Sequence, residues 1–148
     1  MRDKIFRNFT MLLTGSIIYF NFEIFVRGYS HISMFVLGGI CFFLVGMIGN
    51  FILDKKIMFS IKLVSLMLMS SLIITSLELL TGLYVNLYLN LDVWDYSHLK
   101  GNYMGQICIL YSMIWGLMGL PCVFFYGVID RCVLMSKYEK NSQAEMLG

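Results

Sequence analysis

Glu23 and Arg27 stand four residues apart within an otherwise apolar run, the order and spacing that favour an ion pair on one helical face. Glu78 lies near the end of a second apolar run, and Asp92, Trp94, Asp95, Tyr96, Ser97 and Asn102 follow it in a short polar segment. An ionisable group inside a membrane-length helix is costly, so it must face a partner, a cavity or water. Two arrangements meet that demand. Glu23 and Arg27 can form a structural pair that locks helices together, with Glu78 snorkelling or bonded to Tyr96 or Asn102. Alternatively, Glu23 and Glu78 are the charged walls of a ligand or cation site, approached by Asp92 and Asp95.

The elements that must position these residues follow from composition. Of 148 residues, 59% are apolar and 14% are charged, where a soluble domain carries about a quarter charged. The apolar residues fall in long continuous blocks, long enough for helices that cross about 30 Å of hydrocarbon and too continuous for barrel strands. The fold class is therefore all-α, a polytopic integral membrane protein with four transmembrane helices in a single membrane domain. The helices are expected at about 6–27, 32–51, 61–84 and 103–129, with 130–148 a polar cytoplasmic tail. The first run is too long for a signal-peptide core, lacks a cleavage site and contains Glu23. The loop from Val85 to Gly101 is the longest connection. It alternates enough to resemble a strand, although extra helical turns or an interfacial segment suit a membrane setting better. Its tyrosines and Trp94 fit a headgroup-level aromatic belt.

Helix two carries Gly38, Gly39, Gly46 and Gly49, and helix four carries Gly116 and Gly119. Small residues let neighbouring helices approach closely in lipid, although a thin wall beside a ligand path is the other use. Pro121, inside helix four, frees one carbonyl and predicts a kink. Cys41, Cys108, Cys122 and Cys132 show no CxxC spacing and read as packing residues, with a metal site or disulfide the lesser alternative. His98 has no His or Cys at zinc-like spacing, so neither a metal nor another cofactor is expected.

Topology follows from the basic residues. Arg2, Lys4, Arg7, Lys55, Lys56, Lys62, Arg131, Lys137 and Lys140 fall on one side of a four-helix arrangement, and only Arg27 and Lys100 on the other. The positive-inside rule places both termini in the cytoplasm and the 85–101 loop outside, in a multi-pass protein of the cell membrane. A net charge of +2 gives no reason to expect nucleic acid as a partner.

Several of these residues form a pattern. Glu23 with Arg27, Glu78-Leu79-Leu80-Thr81-Gly82, Trp94-Asp95-Tyr96-Ser97, then Asn102, Gly105, Ile107, Trp115, Gly116 and Gly119 resemble the bacterial ABC-transporter type IV, or CmpB-like, family. In that family a helix ending E…G precedes a W-D-Y-S segment, an N-x-x-G-x-I opening and a helix containing W-G. The likeness is most specific from Glu78 to Gly119 and weaker before Ile61. Helix two departs from it: Met34 to Gly49 has no proline where the family has a G-P-x-C-P-x-Y-G-x-G stretch.

The resemblance implies a bacterial transport component, yet the chain contains no P-loop and so would need a separate ATPase or other transport subunit. The leading expectation is a small permease subunit or binding component with an outward-facing polar site at Glu23, Arg27, Glu78 and Asp95. Four helices enclose little space, so a homo-oligomer or larger membrane complex in the lipid bilayer is expected. The alternatives are a non-transporting protein that binds a lipid or a partner, and a membrane enzyme acting on lipid headgroups. The enzyme reading lacks any GxSxG, HExxH or other paired nucleophile and base, and no catalytic residue is assigned.

Overall fold

The computed structural model describes the backbone of residues 2–147 and the side chains of 4–135. Four long helices account for most of it: α1 (Arg2–Arg27), α2 (Ile32–Leu53), α3 (Phe59–Gly82) and α4 (Ile109–Leu147). Apolar spans of membrane length lie within Lys4–Arg27, Ile32–Leu53, Phe59–Tyr88 and Ile109–Met135. The molecule is a polytopic all-α membrane protein.

The most apolar helix sits in the middle. α2 packs on α1, α3 and α4, and α3 packs on α4, whereas α1 and α4 meet only sparsely. With lipid outside, association depends on close backbone approach rather than on expelling water, and glycines mark the contacts. A side chain at Gly38 would run into Tyr19 of α1, and one at Gly39 into Ser16. Gly46 and Gly49 receive Tyr126 and Val123 of α4, while Gly116 and Gly119 lie against the Met67 carbonyl and Ser70 of α3. Gly15, on α1 against Phe42, belongs to the same set. Hydroxyls strengthen the α3–α4 contact. Ser71 Oγ donates to the Ser112 carbonyl at 2.7 Å, and Thr75 Oγ1 to Ser112 Oγ at 2.9 Å. Such hydroxyls often bond back along their own helix; here both reach across to the neighbour.

At one end of the bundle, Arg7 Nε approaches Asp130 Oδ1 at 3.6 Å, and Lys62 donates to the Leu53 carbonyl beside the α2–α3 turn. Arg2, Lys137 and Lys140 lie outside the described side chains. At the opposite end, residues 28–31 join α1 to α2. His31 caps α2, its ring nitrogen accepting from Ser33 N. The large connection 83–108 covers the same end.

That connection differs from a simple loop. α3 runs on as a π-helical segment, Leu83–Tyr88. The expected start of the fourth helix near residue 103 is instead a hairpin, β1 (Asn102–Tyr103) paired antiparallel with β2 (Ile107–Cys108). Gly101, Met104 and Gly105 have φ of 75°, 54° and 70°, in the left-handed region that ends any helix, so α4 begins only at Ile109. At its other end α4 passes the expected stop at residue 129 and remains helical to Leu147, where a polar tail had been expected. No glycine or proline interrupts residues 128–147. Pro121 lies inside this helix.

Candidate functional site

The two glutamates occupy separate hydrogen-bond nodes at the end of the bundle that carries the 83–108 connection. Glu23 is 4% exposed, and Arg27 Nη1 donates to its Oε1 at 2.5 Å. Ser30 Oγ donates to the other carboxylate oxygen. Arg27 also leaves its own helix: Nη2 donates to the Val93 carbonyl at 2.7 Å and to Tyr29 Oη at 3.0 Å. One guanidinium thus ties the end of α1 to the loop.

Glu78, 3% exposed, receives Tyr96 Oη on Oε1 and Trp115 Nε1 on Oε2, each at 2.9 Å. Asn102 is not among its partners. The Tyr96 ring stacks on Tyr111 with centroids 4.6 Å apart, which fixes the hydroxyl's direction. Burial, and next the Glu78 carboxylate, push the Tyr96 phenol well above its ordinary range, so it remains a donor.

The loop holds itself together through Asn86, a residue that sequence reasoning left unremarked. Its side-chain oxygen accepts from Val93 N at 2.8 Å; its amide nitrogen donates to the Trp94 carbonyl at 3.0 Å and to Gln106 Oε1 at 2.8 Å. Trp94 Nε1 in turn donates to the Gln106 carbonyl at 2.9 Å. Asn86, Trp94 and Gln106 are all buried. A buried amide must have its hydrogen bonds met, so an asparagine in an apolar run was the available signal.

Asp95, Ser97 and Asn102 act mainly within this loop. Asp95 accepts from Ser97 N at 2.8 Å and Ser97 Oγ at 2.7 Å, bonds that hold its carboxyl below the usual carboxylate range. Asn102 donates to the Leu99 carbonyl at 2.7 Å and accepts from Gly105 N at 3.2 Å. Tyr96 N donates to the Gly105 carbonyl at 2.7 Å. Gly105 combines its left-handed φ with a backbone close to the Asp95 carboxylate, so a side chain there would meet both penalties.

Two adjoining cavities lie around these nodes. The polar one, about 400 Å³, is lined by Glu23, Arg27, Asp92 and Asp95, with Trp94 and Tyr96 among its aromatic walls. The apolar one, about 180 Å³, lies between α1 and α4 and contains Glu78. Tyr19, Phe22 and Trp115 line both and form the partition. Ser97 and Asn102 line neither of the two. Glu23 and Glu78 therefore do not face each other across one pocket. Among the described residues, no three His, Cys, Asp or Glu side chains come together in a metal-holding group.

The family model described as "Putative ABC-transporter type IV" matches residues 9–144. The chain belongs to this family. No curated protein and no solved structure matches it. The match takes in α2, α3, the loop and the lining of both cavities, together with most of α1 and α4.

Proposed function

We propose that this member of the ABC-transporter type IV family is a membrane transport component whose solute site is the polar cavity at the loop end of the bundle. The observation that carries the reading is the cavity's wall. Glu23, Arg27, Asp92 and Asp95 stand around about 400 Å³ of space, backed by aromatic rings. Charged groups with a few converging aromatics, at the end of a helical bundle, form a recognition site rather than a packing seam. With nine of the eleven basic residues on the opposite side of a four-helix arrangement, the positive-inside rule turns the cavity outward and leaves both termini cytoplasmic. The chain has no nucleotide-binding motif, so energy would come from a separate ATPase or other transport subunit contacting its cytoplasmic end. A homo-oligomer or larger complex would complete the pathway.

In this reading Glu23, Arg27 and Asp95 are wall residues, while Trp94, Tyr96, Ser97 and Asn102 hold the wall's shape. Glu78 anchors the partition from behind. Pro121 lines the apolar cavity, and a kink there would widen it.

One observation favours the alternative, a non-transporting protein that binds a lipid or partner: Glu23 and Glu78 already have hydrogen-bond partners on both oxygens. The deciding experiment uses the chain in proteoliposomes and nanodiscs. Solutes of the ammonium, carboxylate and sugar classes are screened for thermal stabilisation, then for exchange across the membrane. Stabilisation and exchange that are both lost in Asp92→Asn or Arg27→Ala support transport. Stabilisation without exchange, also in the presence of native membrane partners, favours the non-transporting alternative. A separate thiol-labelling measurement at Asp92→Cys, in a background without other cysteines, tests orientation; reaction with an impermeant reagent only from the cytoplasmic side would overturn the outward assignment.

A further inference from the structure

The apolar cavity has a depth in the bilayer as well as a volume. On α1 its lining runs from Gly15, at the middle of the span Lys4–Arg27, to Phe22. On α2 it runs from Leu37 to Phe42, at the middle of Ile32–Leu53. α3 contributes Ile74 and Glu78, both on the loop side of the middle of Phe59–Tyr88. On α4 the lining runs from Trp115 to Phe125, just past the middle of Ile109–Met135. All four helices therefore place the cavity between the midplane and the loop end of the bundle. Its extent along α4 is about 15 Å at the helical rise per residue, half of the roughly 30 Å of hydrocarbon in a bilayer. That is the depth of one leaflet's acyl chains.

The space is a slot closed at both ends and open along one side. Toward the loop it is closed by Tyr19 and Trp115, whose ring centroids are 6.5 Å apart, with the indole held by Glu78. Toward the basic end Met11 of α1, Phe42 of α2 and Tyr126 of α4 pack together. α2 and α3 supply the floor. Between these closures α1 and α4 meet only sparsely. Ile18, Met118 and Phe125 on the rim are 45%, 39% and 50% exposed, so the open side faces lipid. Glu78, the only charged side chain lining the slot among the described residues, has a donor on each oxygen.

Depth, width and access select the occupant. An apolar cavity of about 150 Å³ holds a molecule the size of benzene. This one, about 180 Å³, takes a slender chain segment of similar size. A partner helix about 10 Å across is too wide for it. A water-borne solute meets the Tyr19–Trp115 closure, whereas acyl chains surround the open side at the matching depth. We infer that the slot between α1 and α4 binds one acyl chain of a phospholipid from the loop-side leaflet, while the lipid's head stays outside the bundle. The polar cavity takes no part, so the inference is independent of the solute reading.

Trp115 lines the slot, whereas Trp94, the chain's other tryptophan, lines only the polar cavity of the two. The test strips the full chain of lipid in a maltoside detergent and titrates phosphatidylcholine brominated on one acyl chain, following tryptophan emission. Quenching of part of the emission should saturate near one phospholipid per chain and be reversed by unbrominated phosphatidylcholine. Phosphatidylglycerol should compete equally, because the slot holds the chain and not the head. Bromine near the carboxyl end of the chain should quench more than bromine near the methyl end, since Trp115 lies at the end of the slot nearer the loop. Cys122→Phe, which fills the slot, should weaken apparent affinity about tenfold. Met118→Phe, on the exposed rim where no repacking is needed, should weaken it in the same direction. Quenching that rises without saturation, competition confined to one headgroup, or wild-type affinity in both variants would overturn the inference. The reverse order of the two bromine positions would place the lipid in the opposite leaflet and overturn the assignment as well. Any of these results leaves the solute reading as it stands, because that reading needs only the polar cavity.

Discussion

Trp115 of α4 donates its indole N–H to the Glu78 carboxylate of α3 at 2.9 Å, in a part of the bundle otherwise lined by apolar side chains. Removing that donor leaves a buried carboxylate oxygen without a partner, which costs about 1–3 kcal/mol or more for a charged group. Trp115→Phe should therefore destabilise the protein by about that amount in nanodisc melts. In a Glu78→Leu background the same change should cost less, and the difference measures the coupling. Equal costs in both backgrounds would mean that the ring's packing, not the hydrogen bond, matters.

Arg27 joins α1 to the loop through the Val93 carbonyl at 2.7 Å. Arg27→Lys keeps the charge but loses the planar fork that serves Glu23, Tyr29 and Val93 together. Amide exchange in the segment 89–99 should accelerate several-fold, with that of α2 unchanged. Protection identical to wild type would show that Asn86 holds the loop unaided.

Glycine positions on the same helix should respond in opposite directions. A methyl at Gly119 would press on Ser70, and Gly119→Ala should cost about 1–3 kcal/mol through overpacking. At Gly127 the nearest atom to such a methyl is Asn50 Oδ1 at 3.7 Å, an ordinary contact. Gly127→Ala should be neutral or stabilising by up to about 1 kcal/mol, from helix propensity alone. Melting temperatures of the two variants check the contrast.

Asp95 supplies a pH dependence whose sign is fixed. Its folded carboxyl lies below the ordinary range because Ser97 donates to it twice, so the folded loop binds fewer protons than the unfolded one. The stabilisation is present above the ordinary carboxylate range and is lost as pH falls through the lowered folded value. Limited proteolysis between Asp92 and Met104 should accelerate in acid, and Asp95→Asn should flatten that dependence. A pH response unaffected by Asp95→Asn would assign it elsewhere.

The helices were legible because continuous apolar blocks need only length to declare themselves, and α2 illustrates it: the expected 32–51 is close to the observed Ile32–Leu53. The pairing of Glu23 with Arg27 was legible for a related reason, since both lie on one helix where spacing fixes direction. The hairpin was not. It depends on Met104 in a left-handed conformation, which methionine gives no reason to expect. Nor was the separation of Glu78 from the polar cavity. Tyr96 and Trp115 reach it from 18 and 37 residues away, and no local pattern shows on which side of an aromatic ring a carboxylate will settle.

Both donors that satisfy Glu78 lie downstream of it in the chain. As α3 emerges from the ribosome, its carboxyl has neither the phenol nor the indole that later receives it. It acquires the second only after the chain has been made through residue 115 and α4 has begun to form beside it. A chain truncated before Trp115 would therefore leave one oxygen of the Glu78 carboxylate without its donor, so the buried acid of α3 depends on α4 for its full set of partners.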